Sequence, residues 1–331
     1  MTGRPDASVF VEAPARLHFG VLDLHGGLGR RFGGMGAAIP TPSLLIEAAR
    51  ASDVEAEGPD AERAAGFARR FLTHHGLPGG ARLIVHRAIP SHSGLGSGTQ
   101  LALAVGHAFC RVHGLMYSSA DLARITGRGL RSGIGIAGFD QGGLLLDGGP
   151  GANGTISPLL ARLALPPHWR VLMVLDPRLQ GLSGDEEKRA LRELAPLPRD
   201  AAAEICHQVL MRVLPGAACG DFESFAAGVT RMQAILGAHF APAQHGRAFA
   251  SAAVARLIDA LGADAAVGQS SWGPTGFAVF PSSSAAESAL AAARRHLAVD
   301  PALRVCIVRA RDHGATFAAL SRQPHDPVAT P

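Results

Sequence analysis

The β-branched and aromatic run Val9–Ala13 makes residues 8–20 read as a strand entering a loop, and Ser43–Ala49 reads as another strand. Between them, residues 20–37 carry seven glycines, the pattern of a loop with a short strand lying close to a ligand. Apolar residues recur at helical spacing over Ala61–His75, a helix that ends near Gly76. Ala81–Arg87 predicts a strand, residues 89–98 a loop, and the Ala-rich Thr99–Val112 a long buried helix. A short helix follows at Ser119–Thr126, capped by Ser118 or Ser119. After the glycine-rich stretch Gly127–Gly143 comes an apolar strand ending at Asp147, and residues 148–168 read as a linker. Beyond it, Val171–Leu175 is a buried strand, and helices are expected at Gly184–Leu194, Ala201–Leu214, Asp221–His239 and Arg247–Leu261. Two short strands lie within Val267–Phe280, then a helix at Ala285–His296 and a last strand at Val305–Arg309. The Pro-rich tail from Ser321 is expected to fray.

A chain of 331 residues suggests two domains, and the linker divides it into residues 1–165 and 166–331. Hydrophobic content of 47% and charged content of 18% are those of a packed globular protein. The net charge of +4 comes from arginine, since Lys188 is the only lysine, and arginine forks suit phosphates and carboxylates. No basic run with interleaved aromatics appears, so nucleic acid is not expected as a partner. No apolar run is long enough to span a membrane, and no signal peptide is visible. The four cysteines are scattered, which argues against zinc or a disulfide framework and for free thiols in a cytoplasmic protein.

The strongest local signal is the loop Ser93–Gln100, directly before a helix. Unpaired N–H groups and the dipole at a helix start favour an anion. Gly94, Gly96 and Gly98 let a ligand approach the backbone, while Ser93, Ser97 and Thr99 offer hydroxyls; Leu95 and Gln100 complete the candidate binding segment. There is no Gly-Lys-Ser/Thr ending, so it is not a Walker loop. The plain alternative is a Gly/Ser connection in which Ser97 caps the helix.

Three segments occur in order: Ala13–Gly20, the Ser93–Gln100 loop, and Gln269–Thr275. They resemble the three motifs of the GHMP kinase superfamily. That resemblance implies an α/β (α+β) fold, with an N-terminal domain like the second domain of ribosomal protein S5, a ferredoxin-like C-terminal domain, and a ligand between them. Gln269 and Ser270 would border that cleft. Family kinases carry a Ser-Gly-x-Asp segment whose aspartate serves the acceptor hydroxyl. Here Gly135 stands in the aspartate's place, and Gly98 replaces a serine that helps bind magnesium. Both departures argue against phosphoryl transfer.

Four segments instead resemble the β-ribofuranosylaminobenzene 5′-phosphate synthase branch: Arg16–Leu24 with Gly29–Gly34, Ser93–Gln100, Gly127–Phe139 and Gln180–Glu187. One departure is Asp140, where glutamate is expected. The branch implies a pentosyltransferase of methanopterin biosynthesis. It joins phosphoribosyl pyrophosphate to 4-aminobenzoate or 4-hydroxybenzoate, with loss of pyrophosphate and CO2. Magnesium and a homodimer come with the resemblance. Arg16, Arg30, Arg31, Arg128 and Arg131 are then candidates for phosphate and benzoate forks. Asp23 and Asp140 are candidates for Mg²⁺, for stabilising the ribosyl cation or for proton transfer, and His18 for an acid or phosphate donor. Each has a structural alternative: Arg16 pairing with Asp23, a core His18, a solvated Arg30–Arg31 loop, turn caps at Asp23 and Asp140, and Arg128 and Arg131 holding a helix end. Asp185, Glu186 and Glu187 read as the acidic first turn of a helix.

Overall fold

The computed structural model describes residues 7–151, 154–262, 264–296 and 299–321. Two sheets organise them. Strands β1 (Ala7–Asp23) and β2 (Phe32–Ala51) form one long antiparallel hairpin, with Leu17 opposite Ala37 and bulges after Pro14 and His18. Strand β4 (Gly80–Arg87) pairs with the second half of β2, and the three-residue β3 (Glu55–Glu57) runs parallel to β4. β5 (Leu144–Asp147) pairs with the first half of β2, and β6 (Leu159–Leu163) with β5. The loop with a short strand expected at 20–37 is strand over 20–23 and 32–37, with a turn between. Glycine is what permits the pairing: a side chain at Gly36 would overlap the Leu17 carbonyl.

Helices α1 (Ala61–His75), α2 (Ser97–His113) and α3 (Ser119–Ile125) cover this sheet. Phe71 of α1 stacks on Phe109 of α2 at 6.0 Å. The Gly127–Gly143 stretch holds a helix not foreseen in sequence, α4 (Ile134–Asp140), whose residues 134–139 are all buried. Burial overrides its poor glycine-rich propensity. The supposed linker likewise contains β6, which pairs with β5.

The second sheet has the order β10-β7-β9-β8, from β7 (Arg170–Leu175), β8 (Ala266–Gln269), β9 (Thr275–Phe280) and β10 (Arg304–Val308). This is the expected ferredoxin-like arrangement. Period-two alternation along β7 sends Val171 and Met173 into the main core, and Leu172 and Val174 into a second core. α9 (Ala252–Ala260) and α10 (Ser283–His296) bury the second core, through Leu257, Ile258 and Leu290. On the other face lie α6 (Arg199–Gln208), α7 (Leu214–Cys219) and α8 (Phe222–Phe240), while α5 (Gly184–Glu193) buries none of its residues. A five-residue π-helical segment at Val209–Val213 joins α6 to α7, where the sequence read one continuous helix. The helix expected from Arg247 starts instead at Ala252, where Ser251 accepts from Val254 N.

The domain division at 165/166 needs one correction. β11 (Thr316–Ser321) leaves the second lobe and pairs antiparallel with β1. Pairing closes the β1 edge, and Phe317 packs on Phe139 and His107. The tail expected to fray, beyond Ser321, lies outside the described residues.

Candidate active site

A cavity of about 740 Å³ lies between the two lobes at the N-terminus of α2. The phosphate loop forms one of its edges. Arg16 is tied to it twice: its backbone N–H donates to Leu95 O at 3.0 Å and its Nη1 to Gly94 O at 2.7 Å. Gly94 and Gly96 sit at φ of 82° and 80°, and a side-chain carbon on Gly96 would come within 2.9 Å of Arg16 Cγ. The loop is also locked to the second lobe. Ser270 Oγ donates to Gly94 O at 2.7 Å and accepts from His18 N at 2.9 Å, while Thr275 Oγ1 donates to Ser93 O at 2.7 Å. Gly181 N donates to His92 O at 2.7 Å, and a side chain at Gly181 would overlap the Trp272 carbonyl. The Gln180–Glu187 motif thus has a derivable role. It threads a glycine through this seam and sets α5 over the cavity.

Charged side chains line the cavity around the loop. Burial lowers Arg16 to a pKa of about 10, with the Glu187 carboxylate pulling it back up. Arg131 Nη2 donates to Glu187 Oε2 at 2.6 Å. Arg128 lies with its guanidinium 5.4 Å from the Phe67 ring centroid, and Arg63 reaches the same edge of the loop. His18 is buried, and desolvation with the Arg16 charge lowers its pKa to about 3, so its imidazole is neutral at ordinary pH. A point beside Gly34 lies 3.1 Å from His18 Nε2, 2.9 Å from Ser132 Oγ and 3.0 Å from Asp147 Oδ2. Asp147 is fully buried and accepts from Ser132 Oγ and Gly133 N, each at 2.9 Å, and from Gly149 N at 2.8 Å. Burial raises its pKa against those bonds, and the carboxylate fixes the entry to α4.

Of the residues singled out in sequence, Arg16, His18, Gly94, Gly96, Ser97, Gly98, Thr99, Arg128, Arg131 and Gln269 line the cavity. The others need correction. Ser93 turns its hydroxyl to Pro90 O, and Leu95 is buried beneath the loop. Gln100 is buried and donates to Gly135 O at 2.8 Å, tying α2 to α4. Ser270 stands behind the loop rather than in the cavity. Arg30 donates to Gly149 O at 2.9 Å and Arg31 to Leu24 O at 3.3 Å, so both staple the β1–β2 turn. Asp23 caps that same turn, accepting from His25 N at 2.6 Å and Gly26 N at 2.9 Å. Asp140 lies at the far end of α4, where Ser119 Oγ donates to it and His107 Nε2 meets that hydroxyl at 2.8 Å. Asp23 and Asp140 therefore do not form a ligand pair. Among the described residues, no group of three or more His, Cys, Asp or Glu is placed to hold a metal.

Sequence reasoning did not single out Arg63, Ser132, Asp147 or Trp272 as site residues, and within the Gln180–Glu187 motif it favoured a helix-end charge for Glu187. Among the described residues lining the cavity, Glu187 is the one carboxylate. Its motif was visible, but its pairing with Arg131 joins residues 56 apart. For Arg63 no sequence signal existed.

Two lobes joined across a glycine-rich phosphate loop define a protein of the GHMP kinase class. Comparison bears this out: the profile for the GHMP kinases N terminal domain matches residues 62–146, and that for the GHMP kinases C terminal matches residues 210–299. Solved structures with this fold include homoserine kinase from Cytophaga hutchinsonii, at 16% identity and a TM-score of 0.62 over 96% of this chain and 99% of that one. The Streptococcus pneumoniae phosphomevalonate kinase gives 12% and 0.66, over 91% and 99%. Such identities carry the fold alone. Closer in sequence is an Archaeoglobus fulgidus protein named beta-ribofuranosylphenol 5′-phosphate synthase, 35% identical over 67% of this chain and 74% of the relative. A Methanothermobacter thermautotrophicus protein of the same name is 32% identical over 82% of this chain and 88% of its own. The chain belongs to this synthase family, a pentosyltransferase branch of the GHMP kinase superfamily.

Proposed function

We propose that the protein joins the ribosyl group of phosphoribosyl pyrophosphate to the ring carbon of a 4-substituted benzoate. The names of the relatives favour 4-hydroxybenzoate over 4-aminobenzoate as acceptor. The observation that carries this reading is the chemistry of the cavity: arginines crowd a phosphate loop, while the position of the kinase base is Gly135. A side-chain carbon there would lie 3.1 Å from Thr99 Cγ2, a tight approach, and glycine offers no carboxylate to serve as base.

In the reaction, the bond from C1 of ribose to pyrophosphate breaks and the leaving group takes the electron pair. The ring carbon bearing the carboxylate, made nucleophilic by the para oxygen, forms the new bond to C1. The bond to the carboxyl carbon then breaks, CO2 departs, and its electron pair restores the aromatic ring. The N-terminus of α2 and the arginines stabilise the charge that grows on pyrophosphate. Arg16, held by Gly94 O, positions an anionic group at the centre of the cavity. Neutral His18 is suited to hydrogen-bonding rather than to carrying charge. Magnesium belongs to this reading as a companion of pyrophosphate. The acids expected to hold it, Asp23 and Asp140, do not fit, since one caps the β1–β2 turn and the other is bonded to Ser119 at the end of α4.

The test is turnover of phosphoribosyl pyrophosphate with carboxyl-labelled 4-hydroxybenzoate. Labelled CO2 and pyrophosphate should appear in equal amounts with the C-riboside. Pyrophosphate release with the label retained in the product would establish a different acceptor chemistry. ATP consumption dependent on an alcohol would establish a kinase.

A further inference from the structure

Arg63 and Arg128 reach one point from different elements. A side-chain carbon on Gly98 would lie 3.2 Å from Arg63 Nη2 and 3.2 Å from Arg128 Nη1. Arg63 stands in the first turn of α1, braced by Asp60 at 3.0 Å and by the Ser91 hydroxyl. Arg128 is held between Gly127 and Gly129, at φ of 66° and 77°, which turn the loop so that its side chain lies on Phe67 and lines the cavity. No ion pair of the described residues includes Arg128, and its Nε is buried without a hydrogen-bond partner. Burial lowers its pKa, and the nearby charges of Arg63 and Arg70 lower it further. A fold that holds two guanidinium tips together beside a helix N-terminus, with one of them unpaired, stores a repulsion that an anion would relieve.

We propose that the Arg63–Arg128 pair, meeting over Gly98, is the seat of the pyrophosphate group of the donor. The proposal rests on the donor assigned above. Gly98 is part of the device. Where family kinases carry a serine, this chain has no side chain, and the two guanidinium tips fill the space. Pyrophosphate is the group whose charge rises as C1 departs, so a pair of forks is most effective there. The 5′-phosphate keeps its charge throughout and needs only an anchor. Arg16 and Arg131, both partly balanced by Glu187, suit that role.

The experiment is calorimetric titration of the full-length protein with inorganic pyrophosphate and, separately, with ribose 5-phosphate, each with Mg²⁺ and with EDTA. Arg128→Ala and Arg63→Ala should each weaken pyrophosphate binding about tenfold or more, with ribose 5-phosphate binding changed less than about threefold. Gly98→Ser, whose side chain would crowd both tips, should weaken pyrophosphate in the same direction. Equal losses for the two ligands, losses confined to ribose 5-phosphate, or unchanged affinity in all three variants would overturn the assignment. Arg63 is one-third exposed, so Arg63→Ala carries the test if Arg128→Ala fails to fold. The titrations need no acceptor and no turnover. A protein that binds pyrophosphate this way yet releases no CO2 would overturn the proposed reaction and leave the subsite standing.

Discussion

The two sides of the cleft are built by opposite means. On one side, a seam of backbone joins the lobes: Ser93 and Gly94 lie against Ser270 and Gly273, and Gly181 lies against Trp272, at separations that exclude a side chain on any of the three glycines. On the other, Arg131 pairs with Glu187 while Arg128 lies unpaired on Phe67, and α5, which carries Glu187, buries none of its residues. The seam sets where the phosphate loop stands and tolerates almost no change. The rim supplies charge, and long side chains there can adjust. Glycines thus mark the structural half of the site, whereas the chemical half depends on arginines whose neighbours are remote in sequence.

The most damaging change should therefore fall on the seam. A side-chain carbon at Gly273 would overlap the Ser93 carbonyl, which is itself held by Thr275. Neither partner is a flexible side-chain end, so the lobes would have to separate. Gly273→Val should cost roughly 3 kcal/mol or more in stability, read as a lowered urea midpoint, and abolish turnover. A stable, active Gly273→Val protein would show that the seam is not rigid.

Arg16 belongs to both sides, with its backbone in the seam and its guanidinium in the cavity. Arg16→Ala keeps the N–H bond to Leu95 and removes the fork. A charge-assisted bond is worth roughly 1.5–3 kcal/mol, so kcat/KM should fall about tenfold or more with a smaller change in the urea midpoint. A collapse of stability with little kinetic effect on the folded fraction would move Arg16 wholly to the seam.

The sequence made the seam legible because close backbone approach demands glycine, and glycine is visible. The loop and most helices followed from that and from periodicity, while the architecture of the two lobes came from the resemblance carried by the ordered motifs. The Gly127–Gly143 stretch hid α4, because its helix is held by burial and by Gln100 rather than by propensity. β6 and β11 were missed for a related reason: each is short and defined by a partner strand far away. The acids misled most. Asp23 and Asp140 stood beside motifs, yet one caps a turn and the other faces away from the cavity, whereas Glu187 arrived only through the folding of α5 over it.

His18 sharpens the comparison through pH. Its N–H is fixed by Ser270 and its ring is buried beside Ser132, with the pKa lowered from 6.5 to about 3. The unfolded chain takes up that proton below about pH 6.5, while the folded one does so only near pH 3. The contribution to stability is thus complete above pH 6.5 and is lost as pH falls toward 3. His18→Gln should reduce the drop in urea midpoint between pH 7 and pH 5. An identical drop in both proteins would mean that the ring is not held in the neutral form.

The smallest effect is expected at Asp140, and that is its value. Its pKa is raised chiefly by burial, partly offset by the hydrogen bond from Ser119, so ionising it in place is unfavourable. Asn at this position keeps an oxygen to accept from Ser119 and removes the cost of a buried charge. Neither the oxygen nor the charge lines the cavity. Asp140→Asn should therefore change kcat/KM by less than about threefold, comparable to a rim substitution that spares the substrate. Stability should be unchanged or slightly higher at pH 7, where the wild-type carboxylate bears its greatest desolvation penalty. The His107–Ser119–Asp140 chain would persist as a brace under Phe317 and β11. A loss of tenfold or more in kcat/KM, with the urea midpoint intact, would show that Asp140 reaches the reacting groups in a closed state of the cleft. The division between a glycine-built seam and an arginine-built rim would then be missing its acid.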